Sequence, residues 1–175
     1  IVTTIYFSMQ LDGYGLKQHD IKQFKGASHE ISDYRERTGE ETHWTNSMFG
    51  GMPSVQISML HEGNYINQLV KSFIRSFPPP AGIVFLYMLG FYIFAMCLRI
   101  NPWIGLFGSI AFGFLTYNIV IIQAGHNSKA LATAFMAPVV GSFIMAYRDR
   151  LRWGIAFSAL FMTIQLSMNH LQVSY

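Results

Sequence analysis

The chain has 175 residues, 51% hydrophobic and 15% aromatic, with only 12% charged against the roughly 25% usual in soluble domains. Twelve Lys and Arg against nine Asp and Glu give a formal charge of +3, and the basic residues are dispersed, which excludes a disordered chain and a nucleic-acid binder. The one cysteine, Cys97, sits in an apolar run and excludes a disulfide framework or a cysteine-built zinc site.

In chain order, residues 1–11, IVTTIYFSMQL, are too short to span a bilayer and lack the basic start and small-residue cleavage site of a signal peptide. They are expected to be the last turns of a truncated first transmembrane helix. Position 1 is Ile and the chain stops at Tyr175 within an apolar pattern, so the expectation is a fragment of a larger membrane protein. Residues 12–75 hold seven of the twelve basic and eight of the nine acidic residues, which makes 12–80 one aqueous segment. Inside it, Ile21, Phe24, Ile31 and Tyr34 recur near a helical period between Asp20 and Gly39 and predict one helix with a packed face. Trp44 to Pro53, rich in Gly, Asn and Ser, reads as an ordered loop. A second helix places Ile66, Leu69, Val70, Phe73, Ile74 and Phe77 on one side and Asn67, Lys71, Ser72 and Arg75 on the other, the pattern of a helix lying in a membrane interface. Pro78-Pro79-Pro80 ends it.

From Ala81 onward come four apolar runs, 81–100, 103–123, 130–147 and 154–173, each near the ~20 residues that cross a ~30 Å hydrocarbon core. The breaks between them are short and make antiparallel helical hairpins. Open strands are excluded in lipid, and the runs lack the period-two alternation of a barrel. The expected fold is therefore all-α, a polytopic transmembrane helical bundle whose first and second spans are joined by a helical extracytoplasmic loop. Arg148, Arg150 and Arg152 mark their turn as cytoplasmic; counting outward, Arg99 is also inside, while the 124–129 turn and the 12–80 segment are outside, with Lys129 against the trend.

Few residues carry chemistry. Asp20, in KQHDIKQF, is placed as a general base just beyond the first span, yet Asp20 with Gln23 also makes a capping-box pattern. His19, Asp20 and His126 are metal-ligand types without a tight spacing, and HEGN at 61–64 lacks the second His of a zinc motif. The turn GHNSK, 125–129, offers Lys129 and Ser128 to a phosphate or is an ordinary turn capped by Ser128 with Lys129 reaching for headgroups. Asn169, His170 and Gln172 lie toward the outer end of the last run, where polar residues line a cavity or join helices. WTNSMFGGMP combines a ring able to stack on a sugar with Gly50 and Gly51, which let backbone approach a ligand; alternatively Trp44 is an interfacial anchor beside a tight turn.

The order of these pieces, an Asp after the first span, a long outer loop with W…FGGMP, then membrane hairpins, resembles the GT-C superfamily of polytopic glycosyltransferases. More closely, LKQHDIKQFKGASHEISDYRERTGE, WTNSMFGGMP and AGHNSKALATAFMAP make the chain similar to the amino-terminal part of the bacterial membrane protein YfhO family. The resemblance implies an enzyme of the bacterial cytoplasmic membrane that moves a sugar from a polyprenyl-phosphate carrier to a cell-envelope glycan acceptor on the outer face. It implies Asp20 as the catalytic residue, deprotonating the acceptor or positioning a divalent cation such as Mg or Mn. His126 and Lys129 are then expected at the lipid phosphate, and His19, Gln23, Trp44, Asn46, Gly50, Gly51 and His170 around the substrate. Many members carry a second acidic residue in a later outer loop; the 124–129 turn has none. The competing expectations are a transporter or flippase-like protein with His170, Asn169 and Gln172 along its path, and a scaffold whose outer segment binds partners.

Overall fold

In the computed structural model, which describes residues 1–58, 63–148 and 150–174, the chain is all-α apart from one two-residue strand pair. It divides into two compact units, a polar one of residues 17–64 and an apolar one comprising residues 1–16 and the chain from Tyr65 onward.

The apolar unit begins with a short helix α1 (Val2–Tyr6) and one turn of 3-10 helix, with Thr3 and Phe7 buried. In the polar unit, α2 (His19–Ala27) and α3 (His29–Thr38) take the place of the single helix expected from the apolar spacing. They part at Ser28, after Gly26, a residue that contributes little helix propensity. Of the predicted apolar face only Ile31 is fully buried, and Phe24 stays exposed. Gly39, in the left-handed conformation at φ 74°, stops α3. Arg35 forms a bidentate pair with Glu41, one arm at 2.8 Å, which ties the end of α3 to the following loop and raises the guanidinium pKa above its ordinary value. The unit closes with an antiparallel hairpin of β1 (Trp44–Thr45) and β2 (Met52–Pro53), Trp44 opposite Pro53.

In the apolar unit, α4 (Tyr65–Arg75) uses only one edge of its apolar face for packing. Val70 is buried and Ile74 and Phe77 lie against the core, while Ile66, Leu69 and Phe73 remain exposed. Helix α5 (Ala81–Cys97) is the central element, with α6 (Pro102–Gly113) on one side and α8 (Asn127–Arg148) on the other; α8 in turn packs on α9 (Leu151–Ser167). The α5–α6 turn is set by Asn101, whose side chain accepts from the Trp103 amide at 2.9 Å while Pro102 occupies the first helical position.

These helices approach closely because small residues stand where they cross. A Cβ added to Gly90 of α5 would fall inside the radius of the Ala134 carbonyl oxygen of α8; one at Gly154 of α9 would overlap the backbone of Ala146. Gly141 faces Phe94, and Gly105 of α6 faces Ala95. Small-residue contacts of this kind are how helices pack where no hydrophobic drive separates them from their surroundings. A polar tie reinforces the α8–α9 seam: Ser158 donates to Ser142 at 3.2 Å, and Ser142 donates to the Val139 carbonyl at 2.8 Å.

Two of the expected continuous runs are interrupted. The run 103–123 is two helices, α6 and α7 (Thr116–Ala124), bent by 41° at Phe114-Leu115. The buried Asn118 spans the break, donating Nδ2 to the Phe112 carbonyl at 2.8 Å. The run 154–173 stops at Ser167, turns through Asn169 at φ 55°, and resumes as α10 (Leu171–Ser174). Asn67 of α4 donates to the Ser167 carbonyl at 2.8 Å, satisfying one of the orphan acceptors at that helix end. Among the described residues, α8 alone is long and apolar enough to cross a membrane unaided; the α6–α7 pair is a second if its bend is counted within one span, and α5, with 17 residues, is shorter.

Gly90→Ala is expected to lower the stability of the purified protein by about 1–3 kcal/mol, the cost of overpacking against a backbone that cannot yield. Gly26→Ala, where an added Cβ meets nothing, is expected to raise it by about 0.5–1 kcal/mol. Thermal unfolding of the two variants beside the parent checks both signs.

Candidate functional site

Asp20 lies in the first turn of α2, but it is not the cap. The helix begins at His19 with Gln18, extended at φ −95° and ψ 117°, in the N-cap position and no side chain capping it. A capping box built on Asp20 and Gln23 therefore does not form, because the helix starts too early for it. The Asp20 side chain is 34% exposed, and Nδ1 of the more exposed His19 lies 3.8 Å from its Oδ1. Gln23 follows one turn later, also exposed.

In the hairpin, Trp44, Asn46 and Gly51 meet. A Cβ at Gly51 would stand 2.8 Å from the Trp44 indole, so the ring lies directly on the glycine backbone. The indole Nε1 donates to Asn46 Oδ1 at 3.2 Å. The backbone approach expected to serve a ligand is thus taken, at Gly51, by Trp44 itself. Gly50 is open, and the indole remains 54% exposed. The loop reaches this shape through three successive left-handed residues, Phe49, Gly50 and Gly51, at φ 54°, 74° and 125°. Phe49 is the costly one, since a side chain there is strained, and it is 88% exposed.

Sequence reasoning missed Glu30, which holds this hairpin. Its carboxylate accepts from the buried Thr45 hydroxyl and from the Asn46 amide, the latter at 2.9 Å. The Thr45 hydrogen bond, helped by the amides of Asn46 and Ser47, lowers the Glu30 pKa below the ordinary carboxylate value. Ser47 adds a bond from its hydroxyl to the Ala27 carbonyl at 2.8 Å. The hairpin is therefore fastened at the α2–α3 junction, roughly 10 Å of helix rise beyond Asp20.

The other expected residues belong to the apolar unit. His126 is exposed, and its carbonyl accepts from Ala130 at 2.9 Å, so His126, not Ser128, occupies the N-cap position of α8. Lys129 places its ammonium 5.5 Å from the centre of the Tyr117 ring, a cation–π contact. His170 stands at the interruption after α9, with a buried Nδ1 that has no hydrogen-bond partner among the described residues. Seven of the ten expected residues, His19, Asp20, Gln23, Trp44, Asn46, Gly50 and Gly51, thus belong to one unit and His126, Lys129 and His170 to the other. No group of three His, Cys, Asp or Glu side chains converges as a metal-ligand set among the described residues, and His61 and Glu62 of the HEGN segment lie outside them.

No protein-family model, no curated protein and no solved structure matches this chain.

Because folding lowers the Glu30 pKa, its contribution is complete above the ordinary carboxylate range and is lost as pH falls through the lower folded value. In a Trp103→Phe, Trp153→Phe background, Trp44 fluorescence is expected to change on acidification below about pH 4.5 in the parent, starting from a different neutral-pH signal in Glu30→Gln and showing no such step there.

Proposed function

We propose that this chain is part of a polytopic membrane glycosyltransferase of the GT-C kind, similar to the YfhO family, that uses a polyprenyl-phosphate-linked sugar. The observation that carries the reading is Asp20: a partly exposed carboxylate held in the first turn of a helix, beside His19, in the same compact unit as the exposed face of Trp44. Apolar helices packed through glycine and serine support the membrane setting, with the arginine turn at 148–152 on the cytoplasmic side and residues 12–80 outside.

In this reading Asp20 accepts the proton of the acceptor hydroxyl as its oxygen bonds to the anomeric carbon. The bond from that carbon to the carrier phosphate breaks, and polyprenyl phosphate leaves with the electron pair. The free face of Trp44 stacks on a sugar ring, its other face being held by Gly51.

A transporter is the second reading, favoured by the unpartnered His170 Nδ1 at an interrupted helix, a placement typical of substrate paths. One comparison separates them. With labelled polyprenyl-phosphate sugar in membranes at matched protein level, Asp20→Asn is expected to cut glycan labelling by about 100-fold or more. Transfer retained by Asp20→Asn sinks the enzymatic reading, and a greater loss of function in His170→Ala than in Asp20→Asn moves the transporter ahead.

A further inference from the structure

The α5–α6 and α8–α9 turns lie at the same end of the apolar unit, for Arg148 reaches from one to the other and donates Nη1 to the Leu98 carbonyl at 3.4 Å. These two turns carry Arg99, Arg148, Arg150 and Arg152, all exposed, against the single acid Asp149, which lies outside the described residues. Trp103 and Trp153, in the first turns of α6 and α9, are exposed at this end too, the placement tryptophan favours at a membrane–water boundary.

Beneath the arginines a groove of about 440 Å³ opens between α5, α8 and α9. Tyr92, Met96, Met145, Phe157 and Phe161 wall it, and Arg150 is the charged residue of its lining. Phe157 sits in a ladder of rings that begins at Trp153 and ends at Phe161. An occupant complementary to this site is hydrocarbon along its length and anionic at one end. A soluble anion leaves the apolar wall unused, and a neutral lipid offers the guanidinium no counter-charge.

We propose that the groove binds an acyl chain of an anionic phospholipid whose phosphate is held by Arg150, with Arg148 and Arg152 adding to the field. This rests on the membrane setting of the proposed function, but not on glycosyl transfer. Basic pockets between helices at a cytoplasmic surface recognise anionic headgroups in this way, each arginine acting within a Debye length of the surface.

Cys97 lines the same groove and is the chain's one thiol, so its alkylation reports occupancy. The full chain is reconstituted into vesicles of phosphatidylcholine alone or mixed with phosphatidylglycerol, floated on a density gradient, and treated with N-ethylmaleimide. Phosphatidylglycerol is expected to slow alkylation about fivefold, the weight of one arginine at an anionic surface. Arg150→Gln is expected to abolish the slowing and Arg150→Lys to keep most of it. Equal rates in the two lipids overturn the site while leaving the membrane reading intact; slowing that persists in Arg150→Gln also overturns it, by assigning the effect to bulk surface charge. Equal slowing by inorganic phosphate over phosphatidylcholine overturns it in favour of a soluble anion, and failure to float with either vesicle overturns both readings.

Discussion

Pro138 removes an amide from the middle of α8 and so leaves the Ala134 carbonyl, one turn earlier, without its intrahelical donor. An orphaned acceptor in an apolar interior is costly, and the rest of the unit is arranged around this one. Gly90 of α5 has no side chain, and its α-hydrogen points at that oxygen along the line a Cβ would have taken. A Cα–H···O contact is weak, but it requires the two backbones to be as near as they are. The crossing of α5 and α8 is thereby set, and with it the positions of α6 and α9, which pack on their outer sides. Gly141, Gly154 and the Ser142–Ser158 tie extend the same close spacing along α8.

Much of the helical layout is legible in hydropathy alone. The runs 81–100 and 130–147 coincide with α5 and α8 to within a few residues, because their ends are marked by Arg, Asn and Gly. The breaks inside runs are not legible in this way. At Phe114-Leu115 the sequence stays apolar on every side, so neither composition nor periodicity changes where the backbone turns. The available signal was Asn118, a polar residue in an apolar run that needed a partner. The split at Ser28 was hidden by the opposite fault: Ile21, Phe24, Ile31 and Tyr34 keep a helical spacing across a break that a period cannot see.

The candidate site divides along similar lines. Residue types declared Asp20, Trp44 and the glycine pair, since an acid at a helix start and a W…GG loop are visible locally. Their partners were not visible. Glu30 reaches Thr45 across fifteen residues of sequence and looks, before folding, like any acid in a first helical turn. Gly51 was read as room for a ligand, whereas the ring that fills the room is Trp44, seven positions earlier on the facing arm of the hairpin. Glycine announces that something comes close without saying what.

The bend between α6 and α7 carries its own repair. Asn118 lies six residues from the carbonyl it satisfies, so donor, acceptor and break all belong to one short stretch of chain. A kink that depends on a neighbouring helix must wait for assembly before its polar groups are sheltered. This one is sheltered as soon as the local turn forms, so its polar groups are satisfied before any other helix packs against it. The shape of the α6–α7 pair is then written into its own short stretch of chain, not imposed by its partners.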